Sequence, residues 1–171
     1  LNFLKNSSLK LNIYKASKTD LPRVFELLSK TNQMNLTLKR TSKAKVSEYF
    51  YQNNITIFCF NLSDRYGEYG LIGTMIIEKK VDYIHIEEIT LSCRAMGRDI
   101  EDCMFIFLNN FFKNNFKSIK INIINTDKNA QMVRKLVKNG FSCIVKNNNT
   151  YEKQIKEKCE KYPEWITIQE K

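Results

Sequence analysis

The sequence predicts an α/β domain of the α+β kind: a mixed, mostly antiparallel central sheet with helices on both faces. Three observations carry that expectation. The chain has 171 residues, 43% hydrophobic and 27% charged, which is enough apolar material for one domain with a real core and too much for a disordered chain. Alternating apolar stretches and segments with helical spacing follow one another in the order β-α-α-β-β-β-α-β-α-β-β. Capping and turn residues fall at the joints of that order.

Leu9, Leu11 and Ile13 alternate with polar residues, as a half-buried strand does. Asp20 offers an N-cap, Pro22 falls in the first turn, and Val24, Leu27 and Leu28 make a helical stripe. The polar stretch Asn32 to Thr37 breaks that pattern, and Ser42 is placed to cap a second helix carrying Val46, Tyr49 and Phe50. Strands Ile55 to Leu62 and Leu71 to Glu78 flank Ser63 to Gly70, whose glycines suit a hairpin connection. Tyr83 to Cys93 reads as a strand, about Gly97 to Phe112 as a helix, and Ser118 to Ile124 as a strand. Asp127 is expected to cap a helix ending at Asn139, with Gly140 where a left-handed backbone is needed. Phe141 to Val145 and Thr150 to Ile155 close the order as a hairpin. Residues 9–171 form one domain, and residues 1–8 read as a linker from a preceding one. The chain starts with Leu rather than Met, as a processed or excised segment does.

Composition narrows the function classes. The longest apolar runs, such as Met104 to Leu108, are too short for a membrane span, and no signal peptide is expected. The five cysteines (Cys59, Cys93, Cys103, Cys143, Cys159) lack CxxC spacing, and there is a single histidine, His85. That pattern fits reduced thiols of a cytoplasmic protein rather than a disulfide scaffold or a zinc site, and no metal is expected. Cys59, Cys103 and Cys143 lie in apolar runs and are expected in the core. The net charge of +10 fits either a phosphate- or carboxylate-rich partner or a Lys- and Asn-rich bias spread over every solvent face. The lysines form no dense block, and no motif or aromatic–basic stripe points to nucleic acid.

The segment Ile89 to Leu108 is the most informative. Ile84 and Ile86 hold one parity of the preceding strand, and Ile89, Leu91 and Cys93 the other. A bulge near Glu87-Glu88 restores a single buried face across that slip; a strand apolar on both faces is the other reading. Arg94-x-x-Gly97 then precedes a helix, where backbone N–H groups and the helix N-terminus suit a phosphate. Asp99 puts a carboxylate into the same turn, either against such a phosphate or as a partner of the helix dipole.

Element order and turn together resemble the GNAT acyltransferases, whose pyrophosphate loop is usually Gln or Arg, two residues, Gly, one residue, then Gly or Ala. Asn129, followed by Lys138-Asn139-Gly140-Phe141, resembles that family's second signature. The resemblance implies a bulge-opened wedge for a thioester arm, held by Leu91, Ser92, Arg94, Gly97, Arg98 and Asn129. The tyrosine that commonly protonates the leaving thiolate is replaced by Leu136, which cannot act as an acid. A narrower resemblance runs through Thr31-Asn32-Gln33-Met34-Asn35-Leu36-Thr37, Asp64-Arg65-Tyr66-Gly67, Gly70-Leu71-Ile72-Gly73, Leu91 to Arg98 and Tyr162-Pro163-Glu164-Trp165-Ile166. These stretches are similar to the C-terminal GNAT-like domain of FkbH-like proteins. That likeness implies an N-terminal haloacid-dehalogenase-type phosphatase domain outside this chain. It also implies an acyl carrier protein as partner and a biosynthetic setting, with coenzyme A or a carrier's phosphopantetheine arm as cofactor.

Cys93 is the sharpest catalytic candidate, since Arg94 and a nearby helix N-terminus favour a thiolate; a small buried hydrophobe is the alternative. Glu87 and Glu88 flank the expected bulge and read either as a catalytic base or as solvent carboxylates. His85 is expected to be structural, and Trp165 to pack the tail onto the body. Asn32, Gln33 and Asn35 offer donors and acceptors for substrate recognition, or serve their own loop. Two functions follow: an acyltransferase acting on a phosphopantetheine-linked thioester, and a non-catalytic module that docks a carrier protein and presents its arm.

Overall fold

The computed structural model describes residues 7–31, 35–145 and 149–171. The alternation at Leu9, Leu11 and Ile13 forms β1 (Leu9–Lys15), with all three side chains buried. It pairs antiparallel with β2 (Ile55–Asp64), which turns through Arg65 and Tyr66 into β3 (Gly67–Lys79). The expected connection Ser63 to Gly70 is therefore mostly strand. Register shifts at Phe60/Asn61 and Leu62/Ser63 absorb the extra residues, and Gly70 takes φ 70° there. β4 (Tyr83–Leu91) lies antiparallel to β3, and β5 (Ser118–Asn122) lies parallel to β4. β6 (Ser142–Val145) and β7 (Thr150–Gln154) form the closing hairpin, with β7 against β5. A strand the sequence pattern did not reveal, β8 (Ile166–Glu170), pairs parallel with β1. The sheet order is β6-β7-β5-β4-β3-β2-β1-β8.

The helices divide between the two faces. α1 (Leu21–Lys30) and α2 (Lys43–Tyr51) cover one, their Val24, Leu27, Leu28, Val46 and Tyr49 packing with Ile57, Cys59 and Ile76. Ser42 caps α2 by accepting from Lys45 N–H at 3.2 Å. The expected cap of α1 differs: Asp20 accepts from Ser17 N–H at 2.8 Å and Ser17 Oγ at 2.7 Å, closing a 3₁₀ turn before the helix.

α3 (Ile100–Phe112) and α4 (Ala130–Lys138) cover the other face. Phe58 meets Phe107 edge-on at 4.9 Å and Phe111 at 5.2 Å, clamping α3 against β2 and so fixing its start beside the end of β4. The C-terminal tail explains why α3 is apolar nearly all round. Asn109 accepts from Lys156 N–H at 2.8 Å, Asn110 accepts from Glu160 N–H at 2.8 Å, and Lys153, 2% exposed, pairs with Glu160 at 2.9 Å. Trp165 and Tyr162 pack against the same core, as expected for Trp165.

Several boundaries differ from expectation. β4 ends at Leu91 because Ser92 opens a 3₁₀ turn over Cys93–Ala95, and α3 begins at Ile100, not Gly97. Gly97 (φ 73°) and Asp99 (φ 56°) are left-handed, which no helix interior tolerates. β5 stops at Asn122, and α4 starts after Asn129 rather than at Asp127. Gly140 has the expected left-handed backbone, φ 90°. Cys59 and Cys103 are buried, but Cys143 is exposed because β6 is an edge strand with all four residues facing solvent.

Candidate functional site

The slip in β4 is a bulge. Ile76 pairs with Glu88 and Ile77 with Ile86, leaving Glu87 as the extra residue on β4. The bulge returns Ile84, Ile86, Ile89 and Leu91 to one core, beneath α3 and α4. It turns Glu88 and Thr90 toward the α1–α2 side, both fully buried. β4 and β5 pair from Tyr83/Ser118 to Ile86/Ile121, and their pairing ends where the bulge begins. Beyond that point the two strands part.

The gap between them is filled by the chain itself. Asn35 makes an antiparallel bridge with Thr90, and Leu36 C=O accepts from Ile124 N–H at 2.9 Å. Since β3 takes the other edge of β4, the segment from Asn35 lies between β4 and the chain leaving β5. The Leu36 side chain passes into the α3–α4 core and is fully buried. Asn129 fixes the arrangement: its Nδ2 donates to Asn35 C=O at 3.0 Å and Ile124 C=O at 2.8 Å, while its Oδ1 accepts from Thr126 N–H. Those bonds use both donors of the expected cofactor residue Asn129 within the protein. Asn35 Oδ1 accepts from Thr37 N–H at 3.0 Å and Leu38 N–H at 2.9 Å, so it orders its own loop. Asn32 and Gln33 lie outside the described residues.

Glu88 is the buried carboxyl of this region. Its Oε2 accepts from Thr37 Oγ1 at 2.7 Å and its Oε1 from Thr41 Oγ1. Burial pushes its pKa above the ordinary range, and the two hydroxyl bonds offset only part of that. Glu87 is half-buried, bonded by Lys39 Nζ at 3.0 Å and 3.5 Å from His85 Nε2. Burial works against its charge, but Lys39 and His85 outweigh it and hold the carboxyl below the ordinary range. Burial lowers His85, so it stays neutral at neutral pH. The two glutamates thus differ: one is ion-paired, the other is sealed under threonines. Thr37, Thr41, Lys39 and Leu36 were not singled out from sequence as site residues. The signal available for Leu36 was an apolar residue, between Met34 and Leu38, within the otherwise polar stretch from Asn32.

The turn after β4 presents an exposed Cys93 and Arg94, with Ser92 Oγ accepting from Arg94 N–H at 3.4 Å. Cys93 is therefore not a buried hydrophobe. A Cβ at Gly97 would meet nothing, so open space lies beside that residue. The first α3 bond runs from Cys103 N–H to Asp99 C=O, which leaves the amides of Ile100 to Asp102 at the helix end. Arg98 stacks on Tyr69 at 4.2 Å and donates to its hydroxyl at 2.9 Å, and that hydroxyl donates to Asp64. Asp99 is paired with Lys135 at 2.7 Å, and Asp102 with Lys135, Lys138 and Asn139. Asp99's charge is thus neutralised within the protein rather than directed at the turn. Leu136, which stands where the resembled family commonly has a tyrosine, is core. Leu91 is fully buried beneath the turn.

Beside the filled gap, a cleft of about 470 Å³ opens between the end of α1 and the connection leading into α4. Asn35, Leu38, Arg40, Asp127 and Lys128 are among the residues that line it. On the other side of the bulge, Glu78, Lys80, Tyr83, His85, Glu87 and Lys120 surround a shallower space. Among the described residues no group of His, Cys, Asp and Glu could hold a metal ion, and no helix is long and apolar enough to cross a membrane.

The fold is that of the GNAT acyltransferases. The ribosomal-protein-S18-alanine N-acetyltransferase of Escherichia coli superposes with a TM-score of 0.66 at 10% identity, covering 90% of this chain and 99% of its own. An aminoglycoside acetyltransferase, AAC(6')-Ib, in complex with coenzyme A and kanamycin gives 0.61 at 13% identity, covering 84% and 94%. The spermidine N-acetyltransferase of Vibrio cholerae in complex with coenzyme A and spermine gives 0.61 at 13% identity, covering 85% and 95%. No protein-family model matches the chain, and no curated protein matches its sequence.

Proposed function

We propose that this domain is an acyltransferase that takes its acyl group from a thioester on a phosphopantetheine arm, carried by coenzyme A or by an acyl carrier protein. The observation that carries this reading is the Glu87 bulge, with β4 and β5 parting beyond it and the Arg94-x-x-Gly97 turn at their open end. An arm threaded there has β4 backbone groups along its length and Arg94 with the α3 amides at its phosphate. The coenzyme A in two of the structural neighbours supports that cofactor class. The likeness to FkbH-like proteins supports a carrier protein and a preceding phosphatase-type domain as partners in biosynthesis, inside the cytoplasm.

Cys93 is the nucleophile on this reading. Its thiolate attacks the thioester carbonyl, the arm's C–S bond breaks, and the arm thiolate takes up the proton that Cys93 released. The acceptor then attacks the acyl-cysteine, with Glu88 or Glu87 receiving the acceptor's proton and Asn32 and Gln33 holding the acceptor. Incubation with acetyl-coenzyme A and with acyl-carrier protein, followed by intact-mass and peptide mass spectrometry, tests it. An acyl adduct at Cys93 that is lost on adding acceptor supports the reading; binding with neither adduct nor turnover excludes it.

A second reading, a non-catalytic domain that docks the carrier and presents its arm, is favoured by Leu36 in the gap and by Leu136 in place of an acid. Carrier binding without any covalent change distinguishes it.

A further inference from the structure

The gap that the proposed reading gives to the thioester arm is occupied, and the occupant is bonded as a ligand would be. We propose that the segment from Asn35 to Leu38 is a built-in competitor of the arm, which must leave the β4 edge before an arm binds, and whose departure unmasks Glu88. The inference rests on the arm reading above.

The case rests on what the segment uses. β4 beyond Ile86 has one edge not taken by β3, and Asn35 bridges to it at Thr90. Across the gap, Leu36 C=O takes Ile124 N–H. A pantetheine arm carries two amides and an aliphatic body, so it competes for the same backbone groups and the same apolar space as Asn35 and Leu36. The segment and the arm cannot both be present. The Thr90 hydroxyl is fully buried with no hydrogen-bond partner, a polar group the segment leaves unsatisfied and an arm amide can satisfy.

The fastening is short and local. Asn129 Nδ2 holds Asn35 C=O, Thr37 Oγ1 holds Glu88 Oε2, and Thr41 Oγ1 holds Glu88 Oε1. Leu38 is left-handed at φ 49°, a conformation that leucine adopts only under constraint and that is relieved when the segment lets go. The 470 Å³ cleft lined by Asn35 and Leu38 gives the withdrawn segment room on the α1 side. Withdrawal carries Thr37 away from Glu88 Oε2 and leaves Thr41 on Oε1, so loading frees one oxygen of the base in the same event. By population shift, arm affinity is reduced by the fraction of molecules with the gap open.

The test locks and loosens the segment in the full chain. Asn35 and Thr90 are antiparallel partners, within reach of a disulfide, so an Asn35→Cys/Thr90→Cys variant closes the gap when oxidised. Peptide mass mapping checks that this pair has formed. Calorimetry with acetyl-coenzyme A is expected to show binding at least about tenfold weaker in the oxidised form, restored by reductant, and about tenfold tighter in Leu36→Ala than in wild type. Hydrogen exchange on wild type supplies a readout that needs no variant: the Leu38 amide, bonded only within the segment to Asn35 Oδ1, exchanges faster with ligand bound. Equal affinity of the oxidised and reduced forms, or added protection at Leu38 on binding, overturns the inference and leaves the arm reading standing. No binding by any form, Leu36→Ala included, overturns both.

Discussion

Leu36→Ala tests the filled gap through stability alone. The substitution removes three carbons from a fully buried side chain in the α3–α4 core. At about 0.8 kcal/mol per buried methylene the transfer part is about 2.4 kcal/mol. A cavity part adds to it, and here the walls cannot close in. The backbone of Asn35 and Leu36 is tied on one side to Thr90 and on the other to Ile124 and Asn129. The expected loss is therefore about 3–4 kcal/mol, within the range of core Leu→Ala changes, and it lowers Tm by about 6–16 °C in a chain of this size. Urea unfolding followed by circular dichroism measures it, with an unchanged m-value as the check that cooperativity survives. A loss below about 1 kcal/mol would refute the reasoning, because a leucine between β4 and β5 cannot be removed that cheaply.

Three further outcomes are expected. Glu88→Gln gains stability over wild type as pH rises: burial raises the folded pKa of Glu88, so wild type loses stability from the ordinary glutamate range upward, while Gln does not titrate. Chemical unfolding at several pH values should show that difference growing above about pH 4 and flat below it. Glu160→Gln leaves the buried Lys153 ammonium without its charge partner and costs about 2–4 kcal/mol, most of which Lys153→Met added to it recovers; the double-mutant cycle is read by urea unfolding. In the native protein an exchangeable thiol reagent should titrate three cysteines, Cys93, Cys143 and Cys159, with Cys59 and Cys103 reacting only on denaturation.

The course of the chain was readable wherever a face is buried against a regular element. Leu9, Leu11 and Ile13 announce β1 by alternation, and Val24, Leu27 and Leu28 announce α1 by helical spacing. The parity slip between Ile86 and Ile89 left two readings, a bulge or a strand apolar on both faces, and the structure has the bulge, which returns both residues to one core. What stayed hidden depends on partners far along the chain. β8 is a five-residue strand whose existence rests on the free edge of β1, and nothing local in Ile166–Glu170 requires it. Asp99 read either as a carboxylate against a phosphate or as a partner of the helix dipole; its ion pair with Lys135 across the helix pair, at 2.7 Å, was in neither reading. Of the candidate site, the pattern around Ile89 gave the turn, Cys93 and the two glutamates as one stretch, while whether Cys93 is exposed or buried was left open until the structure showed it exposed. That Leu36 would reach into the gap and Thr37 would cover Glu88 did not follow, since the first bond spans 88 residues and the second 51.

The arm site itself is tested most directly by amide chemical shifts of the isotope-labelled domain titrated with acetyl-coenzyme A. Saturable shifts are expected along one line, from Thr90 and Ile124 in the gap to Arg94, Gly97 and Arg98 at the turn, with the turn responses lost in Arg94→Glu. Absence of shifts at these positions at millimolar ligand, or shifts confined to another face of the sheet, would contradict a thioester-arm site between β4 and β5.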